Sequence, residues 1–211
     1  MNSLKHFDIS YLTEGKIFLA GVDEAGRGPL AGPVVAAAVM FDTDTFHEII
    51  NDSKKLSEVK REFLYDWIVA NSISFGIGIV DHKEIDEINI LQASLKAMKL
   101  AVDELLSQPE IILIDGNKSF LHAAETIAVV KGDSKSFSVA AASILAKVTR
   151  DKIMRKSAEK FPNYGWERNK GYATKKHISA IKKYGAAELH RTTFLGKILP
   201  QCSNKSTSVN K

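Results

Sequence analysis

Three short apolar runs that lead into acidic residues constrain the fold of this chain more than any other feature. Runs of Ile, Val and Leu bounded by glycine are typical of strands that are buried on both faces of a sheet. In open α/β sheets, chemistry gathers at the carboxyl ends of such strands. We therefore expect the acids that follow these runs to converge on one point. The runs are residues 16–22, 111–114 and 127–130, and the acids are Asp23, Glu24, Asp115 and Asp133.

Converging carboxylates predict a site for a divalent cation. Without a cation the charges repel and raise one another's pKa, which costs about 1.4 kcal/mol per pKa unit. Hard oxygen ligands suit Mg²⁺ or Mn²⁺. The single cysteine, Cys202, lies in a polar tail, so an internal disulfide and a thiolate zinc site are both excluded. Taken alone, Asp115 or Asp133 would more often be an ordinary turn residue beside glycine, and it is their combination with Asp23 and Glu24 that favours a metal site.

Length and composition indicate one globular domain. The chain has 211 residues, of which 45% are hydrophobic and 26% charged, enough for one large core. The longest apolar stretch, residues 31–41, is too short to span a bilayer, and the N-terminus lacks the apolar core of a signal peptide. We expect a cytoplasmic protein with one domain over residues 1–200 and a disordered tail over residues 201–211.

Charge is distributed unevenly along the chain. Residues 1–110 contain 10 basic and 18 acidic side chains, whereas residues 111–211 contain 19 basic and 7 acidic ones, a net charge of +12. Between Lys147 and Lys183 the basic residues alternate with aromatic ones, including Tyr164, Trp166 and Tyr172. This is the electrostatic pattern of a polyanion-binding surface. Solvated helix faces would give a similar charge run, but the neighbouring acid cluster favours nucleic acid.

Hydrophobic periodicity completes the expected fold. In the third strand, the alternation of Ile73, Phe75, Ile77 and Ile79 indicates a half-buried strand. The helix at residues 137–160 places Ser143, Lys147 and Asp151 on one face. We predict an α/β fold, a mixed sheet covered by helices with a helical basic C-terminal region. The further elements are strands at residues 34–41 and 72–80 and helices at residues 57–70, 91–105, 137–160 and 175–184.

Several motifs in order resemble the ribonuclease HII family. The longest, residues 21–34, reads Gly-Val-Asp-Glu-Ala-Gly-Arg-Gly-Pro-Leu-Ala-Gly-Pro-Val. The resemblance covers about residues 17–196 and implies the ribonuclease H fold, a five-stranded mixed sheet with helices. Ribonuclease HIII is disfavoured because few residues precede the first strand and because the fourth acid is Asp133 rather than glutamate. The other matching segments are residues 51–54, 114–116, 131–134, 142–151 and 170–174, His177 and residues 190–194.

The resemblance assigns roles to the acids. It implies that Asp23, Glu24, Asp115 and Asp133 are the catalytic acids and hold Mg²⁺ or Mn²⁺, with two ions expected in the presence of substrate. Two such ions can activate a water molecule and stabilise the leaving oxygen of an in-line displacement. Asp151 could pair with Lys147 four residues earlier, or it could lie near the metal ions and support their ligands without binding the metal directly.

The resemblance also indicates substrate contacts. The loop Gly26-Arg27-Gly28 reads the junction between RNA and DNA, and Tyr172 stacks on the adjacent deoxyribose; otherwise the loop would be a tight turn and Tyr172 a packing residue. Ser53 and Lys54 match a substrate-contact pair, and Lys147 and Arg150 are expected to bind phosphate. The remaining matched positions, His177, His190 and Arg191, receive no role, because a lone histidine is more often structural.

The implied activity is endonucleolytic. We expect cleavage of the RNA strand of RNA/DNA hybrids, and cleavage 5′ to single ribonucleotides in duplex DNA, to give 3′-hydroxyl and 5′-phosphate ends. An inactive nucleic-acid-binding module would have lost an acid, and a resolvase or integrase of the same fold would lack the Gly-Arg-Gly loop with its distant Gly-Tyr-x-Thr. We expect a monomer with no membrane partner, and the tail contains no clear sliding-clamp motif.

Overall fold

A five-stranded mixed sheet forms the centre of the molecule. The computed structural model describes residues 2–13, 15–51 and 53–199. The strands are β1 (Leu19–Ala25), β2 (Val34–Met40), β3 (Ser74–Val80), β4 (Ile111–Asp115) and β5 (Glu125–Val129). Their order in the sheet is β3-β2-β1-β4-β5, with β1 antiparallel to β2, β2 antiparallel to β3, and β1, β4 and β5 mutually parallel. The predicted α/β fold is confirmed.

Six α-helices surround the sheet in the described residues. The predicted bounds of the 137–160 and 175–184 helices are confirmed, and Ser57 caps the helix that follows it by accepting from the Lys60 N–H. The third helical segment begins at His82, where the Asp81 carboxylate caps it, and the backbone of Asn89 is not helical, so a kink divides the segment in two. The second part begins near the predicted residue 91, because the Asn89 side chain accepts from the Leu91 and Gln92 N–H groups. The helices are α1 (Ser3–Ile9), α2 (Glu58–Asn71), α3 (His82–Asp103), α4 (Phe137–Lys160), α5 (Trp166–Asn169) and α6 (Lys175–Tyr184).

Glycines let two helices lie very close to the sheet. A side chain at Gly21 would overlap the backbone of α4, and side chains at Gly76 and Gly78 would overlap the backbone of α3. The buried face of β3 is therefore the glycine face, not the face of the large apolar residues. Of those residues, Phe75 and Ile77 are only partly buried against the cluster around α4 and α2. The apolar alternation identified the strand but not its more buried face.

The C-terminal helices pack beneath the loop that joins β1 to β2. Leu30 from that loop and Met154 from α4 share an apolar cluster with Trp166 and Ile181. An isolated bridge between Ala31 and His190 ties the same loop to the C-terminal segment. This arrangement places the end of the chain directly behind the loop that follows the first acids.

No helix in the described ranges combines the length and the apolar character needed to cross a membrane. The expected tail at residues 201–211 and its cysteine lie outside the described residues.

Candidate metal centre and substrate cleft

Three aspartates meet at one edge of the sheet. Asp23 lies within β1, Asp115 is the last residue of β4, and Asp133 lies in the 3₁₀ turn Gly132–Ser134 that follows β5. Because β1, β4 and β5 are parallel, their carboxyl ends share that edge. One carboxylate oxygen from each aspartate lies within 4.8 Å of the other two. The predicted convergence is confirmed for these three acids, which we call the aspartate trio.

Glu24 stands apart from the aspartate trio. Successive side chains of a strand point to opposite faces, so Asp23 and Glu24 cannot both face the same helix. Glu24 borders a small pocket against Leu91 and Ser94 of α3, although it also reaches the main cleft. One of its carboxylate oxygens accepts from Arg27 Nη1 at 3.1 Å. Its other oxygen is buried and has no hydrogen-bond partner within the described part of the chain.

The acids are electrostatically strained in the absence of a cation. Burial, followed by the charges of Glu24 and Asp115, raises the pKa of Asp23 well above its ordinary value. Burial also raises the pKa of Glu24, although Arg27 opposes the shift. Burial and the neighbouring Asp133 raise the pKa of Asp115. A divalent cation would remove this repulsion, and the donor set, made only of carboxylate oxygens, fits Mg²⁺ or Mn²⁺.

Backbone hydrogen bonds orient two members of the trio. The Glu24 N–H donates to Asp23 Oδ1 at 2.7 Å, and the Gly132 N–H donates to Asp115 Oδ1 at 2.6 Å. Each contact leaves the second carboxylate oxygen of its aspartate available to a ligand. The trio is therefore held in shape by the backbone of its own strands and turns.

Two lysines pair with acids near the trio. Lys54 Nζ lies 3.2 Å from Asp133 Oδ2, but the lysine side chain is 78% exposed, so this ion pair contributes little stability. Lys147 Nζ lies 2.7 Å from Asp151 Oδ1 on α4, where the Asp151 side chain is buried and the Lys147 side chain is partly buried. Of the two roles considered for Asp151, the geometry shows the pairing with Lys147. Asp151 does not belong to the compact group of metal-ligand oxygens among the described residues.

A cleft of about 340 Å³ opens over the acids. Its walls include the loop Gly26–Gly28, which follows β1, and Tyr172, whose ring is 42% exposed. Lys147 Nζ lies 5.8 Å from the centre of the Tyr172 ring. The cleft thus joins carboxylates to basic, aromatic and backbone groups, which is the combination that a nucleic-acid backbone requires. The predicted substrate residues that line it are Gly26, Arg27, Gly28, Ser53, Lys54, Lys147 and Tyr172.

The prediction that Arg150 binds phosphate is not supported by its position. Its guanidinium is only 1% exposed and donates to the carbonyls of Ala31, Pro33 and Lys170 at 2.9–3.0 Å. A buried guanidinium that is bonded in this way holds the surrounding backbone together rather than meeting solvent. The sequence placed Arg150 on the correct helix, but charge and spacing alone could not show that it faces inward.

The two matched histidines form one buried hydrogen-bonded chain. Trp166 Nε1–H donates to His177 Nε2, so the proton of His177 is on Nδ1, which donates to the Tyr172 carbonyl at 2.9 Å. His190 Nε2–H donates to His177 Nε2 at 3.1 Å, and its Nδ1 accepts from the Ala187 N–H. Both rings are therefore neutral, and the chain ends on the backbone of a cleft residue.

The family model and the curated relatives of this chain agree on one family. The model of ribonuclease HII matches residues 20–197. A ribonuclease HII from Caldanaerobacter subterraneus subsp. tengcongensis is 53% identical over 199 residues, which cover 94% of this chain and 83% of that protein. Ribonuclease H2 of Pyrococcus horikoshii OT3 has a TM-score of 0.73 at 29% identity, covering 89% of this chain and 100% of that one. Ribonuclease HII from the Archaeoglobus fulgidus complex with PCNA has a TM-score of 0.68 at 26% identity, covering 90% of this chain and 98% of that one.

Proposed function

This chain belongs to the ribonuclease HII family and is a ribonuclease H hydrolase, and we propose that it cuts the RNA strand of RNA/DNA hybrids and also cuts 5′ to single ribonucleotides in duplex DNA. The products would carry 3′-hydroxyl and 5′-phosphate ends. The observation that carries the proposal is the aspartate trio, whose oxygens lie within 4.8 Å of one another and whose members Asp23 and Asp115 line a cleft with basic walls. Metal-assisted phosphodiester hydrolysis uses such a pairing, in which carboxylates hold the cations and basic groups bind the phosphate backbone.

The aspartate trio, Asp23, Asp115 and Asp133, would hold the metal, and Glu24 would contribute from the neighbouring face of β1. When bound, two Mg²⁺ or Mn²⁺ ions would supply an activated water and stabilise the leaving oxygen. The chain itself fixes the positions of the carboxylates through the Glu24 and Gly132 N–H groups. It does not have to provide a covalent nucleophile.

The opposite side of the cleft would bind the substrate backbone. Lys54, Lys147 and Arg27 carry positive charges within reach of phosphate, and Ser53 adds a hydroxyl. The exposed ring of Tyr172 would stack on the deoxyribose that follows the ribonucleotide. The loop Gly26–Gly28 would approach the 2′-hydroxyl, because glycine leaves its backbone open to the ligand.

The test is a cleavage assay on three duplexes that differ only in sugar chemistry. One has a single embedded ribonucleotide, one has a full RNA strand and one is entirely DNA. We expect Mg²⁺- or Mn²⁺-dependent cutting of the first two and no cutting of the third, with product ends identified by ligation and phosphatase sensitivity. Metal-independent cutting, or cutting of the DNA duplex, would contradict the proposal, and binding without any cutting would instead favour an inactive binding module.

A further inference from the structure

Arg191 is completely buried behind the loop that follows β1. Its guanidinium donates to the carbonyl oxygens of Gly26 at 2.6 Å and Arg27 at 3.1 Å. It also donates to the carbonyls of Gly32 at 2.9 Å and Pro33 at 3.1 Å, at the far end of the same loop. One side chain therefore binds both ends of the loop from the side opposite to solvent.

These contacts fix the direction of two peptide groups. In a trans peptide the N–H points away from the C=O, and the described chain contains no cis peptide. Because the carbonyls of Gly26 and Arg27 point at Arg191, the N–H groups of Arg27 and Gly28 point away from it. Neither N–H donates to a protein acceptor within residues 2–13, 15–51 and 53–199. Both residues line the cleft.

Neighbouring contacts hold Arg191 itself in place. The Asp86 carboxylate of α3 accepts from the Thr192 N–H at 2.6 Å and from the Thr193 N–H at 3.1 Å, directly after Arg191 in the chain. The guanidinium also lies over the Phe194 ring, 5.1 Å from its centre. Burial beside Arg150 lowers the pKa of Arg191 to about 9, so the group remains charged at neutral pH.

We propose that Arg191 is a positioning residue that turns the N–H groups of Arg27 and Gly28 into the cleft and so sets the preference for a 2′-hydroxyl. This inference rests on the proposed function, because it gives the loop its ligand. Donors that are oriented before binding lose no freedom when substrate arrives, and a site built to bond a hydroxyl rejects the analogue that lacks it. Arg191 would reach the substrate only through the loop.

The first experiment measures the affinity of Arg191→Lys for two duplexes that differ by one 2′-hydroxyl. Binding is measured by fluorescence anisotropy, and EDTA is present so that the duplexes are not cut. Lysine keeps a positive charge but lacks the planar fork, so it cannot hold both carbonyls in the same geometry. We expect the preference for the ribonucleotide duplex to fall about tenfold, which corresponds to about 1.4 kcal/mol and to one or two weakened hydrogen bonds.

The control is Ile181→Ala. Ile181 is fully buried in the apolar cluster beneath the loop but makes no hydrogen bond to the loop carbonyls, so its truncation lowers stability without removing the bonds that orient the peptides. We expect this variant to keep the wild-type preference. If Arg191→Lys also keeps it, Arg191 serves folding alone and the inference is wrong. If the wild type itself shows no preference, the loop does not read the hydroxyl and the proposed function fails at that point.

A measurement on the wild type covers the case in which Arg191→Lys does not fold. Amide hydrogen exchange of Arg27 and Gly28 should be fast in the free protein, because their N–H groups face solvent. It should slow when the ribonucleotide duplex is added in EDTA, and slow much less with the all-DNA duplex. Protection of both amides in the free protein would overturn the inference, because their N–H groups would then already be bonded inside.

Discussion

Replacing Asp115 with Asn should make the metal-free protein more stable while it abolishes metal-dependent cutting. The Asp115 carboxylate lies within 4.8 Å of oxygens from Asp23 and Asp133. At that separation one pair of unit charges repels by about 3.5 kcal/mol at an effective dielectric constant of 20, and by about 0.9 kcal/mol in bulk water. Protonation of one carboxylate would reduce the repulsion, and the raised pKa of Asp23 favours it. We therefore expect a gain of about 1 to 3 kcal/mol in the free energy of unfolding.

Asparagine keeps the shape of the site. Its side-chain oxygen can still accept from the Gly132 N–H, which donates to Asp115 Oδ1 at 2.6 Å in the wild type. The loss is then confined to one metal-binding charge. Cutting should fall far more than tenfold, where tenfold corresponds to about 1.4 kcal/mol of barrier.

Urea unfolding in EDTA at about pH 8, where ordinary carboxyl groups are ionised, measures the gain. The same experiment with added MgCl₂ should stabilise the wild type by mass action and should stabilise Asp115→Asn much less. Asp151→Asn is the matched control, because Asp151 is paired with Lys147 at 2.7 Å and should lose stability when its charge is removed. An Asp115→Asn protein that is no more stable in EDTA, or that keeps the full response to Mg²⁺, would refute the reasoning.

Three further results are expected. Burial, followed by the nearby His177, lowers the pKa of His190 to about 4. The stability that neutral His190 contributes is therefore complete above the ordinary pKa of about 6.5 and is lost as pH falls towards 4. Urea unfolding should show a loss of up to about 3 kcal/mol over that range, and a stability that does not change with pH would contradict the buried neutral state of His190. The affinity for duplex should fall as salt is added, and log K should decrease by about 0.9 per neutralised phosphate for each unit of log salt concentration. An affinity that does not change with salt in the anisotropy assay would show that the basic residues of the C-terminal half, 111–211, do not bind the duplex. Tyr172→Ala should lower kcat/KM on a single embedded ribonucleotide by an amount that corresponds to about 1 to 3 kcal/mol of lost stacking energy, and it should lower kcat/KM less on a hybrid. Equal losses on both substrates would leave Tyr172 as a packing residue.

Local signals in the sequence predicted the fold well. Runs of apolar residues marked all five strands within a few positions, and the bounds of the helices at residues 137–160 and 175–184 were predicted correctly. The parallel strands then followed from the expectation that the acids share one sheet edge. The short helix α1 was not predicted, because its stability depends on contacts such as the hydrogen bond from the Ser138 N–H to Asp8 across the fold.

Features that depend on distant parts of the chain could not be predicted from spacing. Arg150 and Arg191 look like surface cations in the sequence, but most of the carbonyls that they bind lie more than a hundred residues away. Glu24 follows Asp23 directly, and only the alternation of β1 separates the two faces that they occupy. Because odd and even positions of a strand face opposite sides of the sheet, the sequence numbers of Asp23 and Glu24 already indicate that difference.

The long sequence separation between the parts of the cleft affects when the protein can become active during synthesis. The aspartate trio requires β1 to pair with β4, which brings Leu19 beside Ile111, and the hydrogen bond from Arg191 to the Gly26 carbonyl spans 165 positions. Such contacts form late because the loop that they close is long. A nascent chain that is still attached to the ribosome would therefore lack an ordered cleft until almost all of it has emerged.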